Sequence, residues 1–383
     1  MESLRFQRPE FPASAEIEKY FAASRDAQWF SNAGPCHRQL TERLARFLGD
    51  DVSVVLTANA TLGLMIALRS LVAETPAGSF VVTPSFTFPA TAQAICWCGL
   101  RPLWADVDRD GWHLDPDSLD ALLSAHQGEV VAVLACSTFG TAPAPEQTRA
   151  WERSCAAAGV PLLVDSAAGF GSRDRHGGLL GRQGAAEVFS FHATKPFAIG
   201  EGGAVTTRDG DLAERLAAMS NFGFRAEREV SSPFGLNAKM SEMHAAIGLA
   251  VLDRFEDVLL ARRERAERLR GALEQAGYGF QAGAHGSTWQ FVPVLAPSAQ
   301  ARESVLVAAQ REQIEIRSYH APLHQLPAFA PYPARTALPV TEELAALTLS
   351  LPLANAMPER ELDRISGLLC SHARAPDRMQ VRL

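Results

Sequence analysis

Short apolar runs recur seven times through the first two-thirds of the chain, and their spacing constrains the fold more than any other feature: Val52 to Leu56, Phe80 to Thr83, Leu103 to Val107, Val130 to Cys136, Pro161 to Val164, Val188 to Phe191 and Ala204 to Thr207. Most are too short for a core helix and rich in β-branched residues, so they read as buried strands. Helical patterns lie between several of them, over Thr61 to Val72, Ala90 to Cys98, Pro116 to Ala125 and Glu146 to Ala158. Strands alternating with helices imply parallel pairing through right-handed crossovers. An α/β sandwich, a mostly parallel sheet flanked by helices, is expected.

At 383 residues the chain exceeds one ordinary core, since single cores stop growing near roughly 250 to 300 residues. From about Arg254 the texture changes to a long Arg/Glu/Ala/Leu helix, Arg254 to Ala276. A run with strand character follows, Thr288 to Leu295, then helices at Ala301 to Gln313 and Pro358 to Leu369. The expected division is a large domain over residues 1–253 and a smaller α+β domain over 254–383, hinged near Leu252 to Arg262. The stretch His320 to Arg335, rich in Pro, His and aromatics, suits an irregular functional loop.

Composition excludes several classes. A formal charge of −7, with signs mixed along the chain, leaves no basic stripe for a phosphate backbone. No stretch approaches the ~20 apolar residues of a membrane span, and Met1 to Glu10 lacks an apolar signal core, so a cytoplasmic protein is expected. The cysteines Cys36, Cys96, Cys98, Cys136, Cys155 and Cys370 show no C-x-x-C pair, and several lie in apolar runs. They read as buried free thiols, with no metal site.

Of 36 basic residues only Lys19, Lys195 and Lys239 are lysines. An amine, unlike guanidinium, can lose its proton and act as a nucleophile, which draws attention to each of them. In open α/β sheets ligands bind beyond the carboxyl ends of the strands, and four such places stand out. After Leu56, Thr57 to Gly63 offers small residues and a Thr at a helix start, suited to a phosphate or to a plain N-cap. After Thr83, Pro84 to Ala90 holds Phe88, a stacking face for a flat ring or a core residue. Asp165 ends the run Pro161 to Val164; a protonated pyridine nitrogen would partner it, and capping a loop is the alternative. Finally, Ser190-Phe191-His192-Ala193-Thr194-Lys195 sets a lysine past an apolar strand and before the turn Gly200 to Gly203, where desolvation would lower its pKa; a structural lysine is the alternative. The glycine turn lacks the spacing of a nucleotide loop. Jointly the four supply what pyridoxal phosphate needs.

These residues resemble the DegT/DnrJ/EryC1/StrS family of nucleotide-sugar aminotransferases. The matching stretches are Asn32-Ala33-Gly34-Pro35, Thr61-Leu62-Gly63-Leu64, Pro84 to Phe88, Gly99 to Asp108, Ser190 to Gly203, Gly235 to Glu242 and Pro322-Leu323-His324. The resemblance implies a fold-type-I pyridoxal-phosphate homodimer with active sites at the subunit interface. By matched position Lys195 is the Schiff-base lysine, Asp165 the partner of the ring nitrogen and Phe88 the stacking aromatic. Ala60, Thr61 and Ser190 hold the phosphate, Asn237 reaches the neighbouring subunit's cofactor, and His324 lies near the sugar pocket. For Asn237 a turn role, and for His324 packing on Tyr319, are the alternatives.

Two stretches depart from the family pattern. Val164-Asp165-Ser166-Ala167-Ala168 replaces the usual Glu-Asp-Ala-Ala-Gln or -His, and Ser137-Thr138-Phe139-Gly140 replaces His-x-Tyr-Gly. The implied reaction moves an amino group from glutamate or glutamine to a keto group of a nucleotide-linked deoxysugar. The departures favour an aminocyclitol ketone or a non-sugar carbonyl as the alternative acceptor. A third reading is a non-catalytic regulatory protein that binds cofactor or sugar. Lys195 argues against the family's sugar dehydratases, which carry His there.

Overall fold

The protein is described by a computed structural model over residues 3–72, 75–225 and 229–373. One sheet takes all seven expected runs: β1 (Ser53–Thr57), β2 (Phe80–Pro84), β3 (Arg101–Ala105), β4 (Val130–Cys136), β5 (Leu162–Asp165), β6 (Ala186–Ser190) and β7 (Gly203–Thr207), in the order β1-β7-β6-β5-β4-β2-β3. Along β5, Leu163 packs on one face and Val164 on the other, and β4 repeats this with Leu134 and Val133. Both faces are covered, which is why the strands read as continuous apolar runs instead of alternating ones.

Strands β2 to β6 pair in parallel, whereas β7 runs antiparallel to both β6 and β1. The exception has a local cause. A parallel return needs a crossover connection, but residues 191–202 contain no helix and fold straight back, with Phe191 N donating to Gly202 O at 2.9 Å and Ala193 N to Gly200 O at 2.8 Å. The hairpin thus built carries Lys195.

The helices are α1 (Ser14–Asp26), α2 (Pro35–Leu48), α3 (Ala60–Leu71), α4 (Pro89–Trp97), α5 (Pro116–Ala125), α6 (Pro145–Ala158), α7 (Gly210–Ser220), α8 (Glu242–Leu252), α9 (Phe255–Gln275), α10 (Ala299–Arg311), α11 (Pro339–Leu347) and α12 (Glu359–His372). Helices α1, α2, α7, α8 and α11 lie outside the helical patterns of the sequence. Helix α8 shows why: it is buried almost all round, from Ala245 to Val251, so it has no polar face to give a 3.6-residue period. Its buried Glu242 accepts the N–H groups of Cys36 at 2.7 Å and His37 at 3.2 Å, a carboxylate at the positive end of α2.

A second apolar core surrounds the antiparallel pair β8 (Val292–Leu295) and β9 (Thr348–Leu351), with Leu269 and Leu273 of α9, Val305 of α10 and Ile365 of α12. Leu4, from the other end of the chain, also belongs to it. Residues 374–383 of the expected small domain lie outside the described residues. Strand β8 begins four residues later than the expected Thr288, because Trp289 has a positive φ of 54° and the carbonyls of Trp289 and Gln290 are taken by the Arg262 guanidinium. The cysteine expectation needs correction too. Cys36, Cys136 and Cys155 are buried, but Cys96 and Cys98 are partly accessible and Cys370, on the outward face of an amphipathic helix, is exposed. Among the described residues no helix is long and apolar enough to cross a membrane.

Gly203 lets β7 run against the start of α3: a Cβ there would stand 2.8 Å from Ala60 N, 2.8 Å from Asn59 C and 2.9 Å from Phe189 O. All three are backbone atoms and cannot swing away. Gly203→Ala is expected to destabilise the fold by about 1–3 kcal/mol in urea unfolding. Gly210→Ala, with nothing within 4 Å, serves as control, and equal midpoints for the two variants would contradict the packing argument.

Candidate active site

Parallel strands deliver their carboxyl ends to one edge of the sheet, and Asp165 closes β5 there. It is 4 % exposed. Its Oδ2 accepts from Thr91 Oγ1 at 2.7 Å, and its Oδ1 accepts from Ala167 N at 3.0 Å. Thr91 lies on α4 one turn after Thr87, whose hydroxyl is 3.0 Å from that of Thr91 and donates to Cys136 Sγ at 3.2 Å. Burial raises the Asp165 pKa, against the opposing pull of these hydrogen bonds and of the Lys195 charge.

Lys195 stands in the β6–β7 hairpin, its N–H donating to His192 O at 2.9 Å. Its amine donates to Gln290 Oε1 at 2.9 Å. Burial pushes its pKa down to about 8, against the attraction of Asp165 and Cys136. For both members of the pair desolvation outweighs mutual attraction. The result is an amine that titrates close to physiological pH, so that a substantial neutral fraction is within reach, which is what a nucleophile or a proton carrier requires.

Ala60 and Thr61 open α3, where no preceding turn supplies acceptors for their N–H groups. Asn59 caps the helix, its side chain accepting from Leu62 N at 2.9 Å. Ser190 pairs with Gly203 across β6 and β7, and Gly203 abuts Ala60, so the three expected phosphate contacts gather at one place. Phe88, 58 % exposed, directly precedes α4 and meets His320 edge-on at 6.5 Å. Asn237 sits on an exposed segment bridged to Asn221, its Oδ1 accepting from Lys239 Nζ at 2.7 Å. His324 is turned to Ser85 and Glu342, with Nδ1 at 2.7 Å from Ser85 Oγ and Nε2 at 3.3 Å from Glu342 Oε1.

A different histidine lies within electrostatic reach of Lys195. His320 stacks on Phe139 at 4.7 Å and meets Phe86 edge-on at 5.7 Å; burial and the Lys195 charge lower its pKa to about 3, leaving a neutral imidazole. Its loop was singled out in the sequence by composition, but not the residue. Thr91 had no periodic signal, because its partner Thr87 lies ahead of the helix, before the N-cap Phe88. Gln290 had none, being 95 residues from the amine it binds.

The profile of the DegT/DnrJ/EryC1/StrS aminotransferase family matches residues 13–369. The chain belongs to this family. Protein Rv3402c of Mycobacterium tuberculosis is 37 % identical over 364 residues, covering 94 % of this chain and 88 % of that one. The dTDP-4-amino-4,6-dideoxy-D-glucose transaminase of Escherichia coli is 27 % identical over 94 % of this chain and 96 % of its own. Among solved structures, DesI in the presence of its TDP-sugar product superposes with a TM-score of 0.85 at 35 % identity, over 97 % of this chain and 93 % of that one.

In this aminotransferase the two departures from the family pattern meet in one buried network. Ser137 Oγ lies 2.8 Å from Ser166 Oγ, and Ser166 donates to Glu187. Glu187 also accepts from Gly181 N at 2.5 Å and Gln183 N at 3.2 Å, and burial still raises its pKa to about 7. Phe139, at φ 58°, supplies the face on which His320 stacks. Position 168 is an alanine whose carbonyl accepts from Thr288 Oγ1 at 2.9 Å.

Removing the Asp165 charge should lower the Lys195 pKa below about 8, since Asp165 is the first force opposing desolvation. Timed acetic anhydride labelling of Lys195 across pH, read by peptide mass spectrometry, checks this in Asp165→Asn. A labelling midpoint that stays put or rises contradicts the coupling.

Proposed function

We propose that this aminotransferase uses pyridoxal 5'-phosphate bonded through Lys195, and moves an amino group from glutamate or glutamine to a keto group of a nucleotide-linked deoxysugar. The observation that carries the reading is the buried pair: an amine with its pKa lowered to about 8 and a carboxylate whose hydrogen-bond partners, Thr91 and Ala167, are both uncharged. A buried carboxylate without a hydrogen-bonded cation fits a protonated pyridine nitrogen, and the opening turn of α3 fits a phosphate. When bound, the cofactor supplies the electron sink for the reaction.

The chain's own residues do the rest. Lys195 takes a proton from the amino donor's α-carbon and returns one to the acceptor's side, which an amine titrating near pH 8 can do in both directions. Asp165, held by Thr91 and Ala167, keeps the proton on the ring nitrogen. Ala60, Thr61 and Ser190 would bind the phosphate, Phe88 would cover the ring face, and His324 would serve the substrate side from its place against Ser85 and Glu342. We further infer a cytoplasmic homodimer in which Asn237 reaches the partner's site. Exposed aromatics support an interface: Trp29 and Phe30 at 42 % and 53 %, Phe222 and Phe234 at 46 % and 43 %. The separate core around β8 and β9 supports a large domain over 1–253 and a small one over 254–383.

Ser137 and Ala168, where the family carries polar side chains of greater reach, favour a second acceptor class, an aminocyclitol ketone or a non-sugar carbonyl. Borohydride treatment of protein incubated with pyridoxal phosphate should fix the cofactor on the Lys195 peptide. Prior addition of glutamate or glutamine should abolish that adduct, and the true acceptor class, tested as a panel of keto sugars against cyclitol ketones, should restore it. An adduct on another lysine, or none, sinks the reading. For the shared site, mixing Lys195→Ala with Asn237→Ala protein should recover activity that neither variant has alone; two variants that stay inactive on mixing, with subunits shown to exchange, contradict it.

A further inference from the structure

The Lys195 amine is held by a device that spans both cores, and the proposed function does not use it. Arg262 of α9 is buried, and every hydrogen bond it makes goes to an uncharged oxygen: Nε to Trp289 O at 2.8 Å, Nη1 to Asn355 Oδ1 at 2.6 Å, and Nη2 to Gln290 O at 2.7 Å and Leu353 O at 3.1 Å. A guanidinium is expensive to bury, and here it is spent on fixing one stretch of backbone. That stretch contains Trp289, 1 % exposed and in the left-handed region at φ 54°. A bulky residue there is strained and persists only when its surroundings over-determine it.

What the strained, clamped segment presents is the Gln290 side chain. Its Oε1 accepts from Lys195 Nζ at 2.9 Å, and its Nε2 donates to Thr194 Oγ1 at 3.3 Å. Thr194 Oγ1 is 2.9 Å from His192 Nδ1, which also accepts Thr194 N at 3.2 Å. With Nδ1 an acceptor, the Thr194 hydroxyl donates to it and must accept from Gln290, which fixes the amide with its oxygen toward the lysine.

We propose that Gln290 is a positioning residue that holds the free Lys195 amine at the reaction centre through a neutral hydrogen bond, with Arg262 as the clamp that aims it. This rests on the reading of Lys195 as the reacting amine. A neutral amine donating one N–H to Oε1 keeps its lone pair for a carbonyl or a proton. A carboxylate at the same place would hold the amine equally well but stabilise its ammonium form. Glutamine supplies the geometry without the charge. The ionisable groups facing the amine are Asp165 at the end of β5, Cys136 at the end of β4 and His320 from the C-terminal loop, while Arg8, Glu10 and Arg262 line the adjoining cleft.

The test uses the full chain without added cofactor, with acetic anhydride labelling of Lys195 followed across pH. Gln290→Glu should move the labelling midpoint up by about one pH unit or more, a tenfold loss of neutral amine at fixed pH. Gln290→Leu, which removes the acceptor that solvates the ammonium form, should move it down. At a pH above both midpoints, Gln290→Leu should also capture pyridoxal phosphate on Lys195 about tenfold more slowly than wild type, because orientation and not protonation is then limiting. A purely structural role would change thermal stability and leave the midpoints together. Gln290→Leu protein that is folded by circular dichroism and labels with the wild-type midpoint overturns the proposal, whatever Gln290→Glu does. Wild-type protein that forms no cofactor adduct at Lys195 overturns the proposed function instead, and the midpoint comparison still reads the Gln290 contact.

Discussion

An amine and a carboxylate share a buried space at the carboxyl edge of the sheet, and burial outweighs their attraction. Lys195 is displaced from 10.5 to about 8, roughly a few hundredfold in proton affinity, while Asp165 is displaced upward. Both shifts run toward neutrality. Two opposite charges that simply satisfied one another would shift the other way. The pair is therefore poised for a third group rather than closed on itself, and the surrounding architecture keeps it so. Thr91 and the Ala167 N–H hold the carboxylate without neutralising it, and Gln290 does the same for the amine.

The scaffold reaches this arrangement through topology. Parallel strands β4 and β5 bring Cys136 and Asp165 to the same edge, in register with one another. The antiparallel return from β6 to β7 places Lys195 in a hairpin instead of a crossover helix, which is how the lysine stays over the strand ends. Gly203 then allows that hairpin's second strand to touch the first turn of α3, and so brings the hairpin that carries Lys195 against the start of that helix. The long helix α9 ties the other side, through Arg262, to the loop that carries Gln290.

The Ser137–Ser166–Glu187 network, with its carboxyl group raised to about 7, is buried. Phe88 is exposed and meets edge-on the neutral His320, which stacks on Phe139.

The parallel α/β sheet, its strand positions and the pair Lys195 and Asp165 were legible in the sequence. Buried strands impose β-branched apolar runs, and a rare lysine after such a run carries a chemical reason for being there. The buried helix α8, the direction of β7, the roles of Thr91, His320 and Gln290, and the turning of His324 to Ser85 were not. Local pattern records which residues avoid water, because that preference is a property of each residue and its near neighbours. It cannot record which distant side chain ends 2.9 Å from an amine, because a contact across 95 residues exists only once two cores have packed and a buried arginine has fixed the backbone between them.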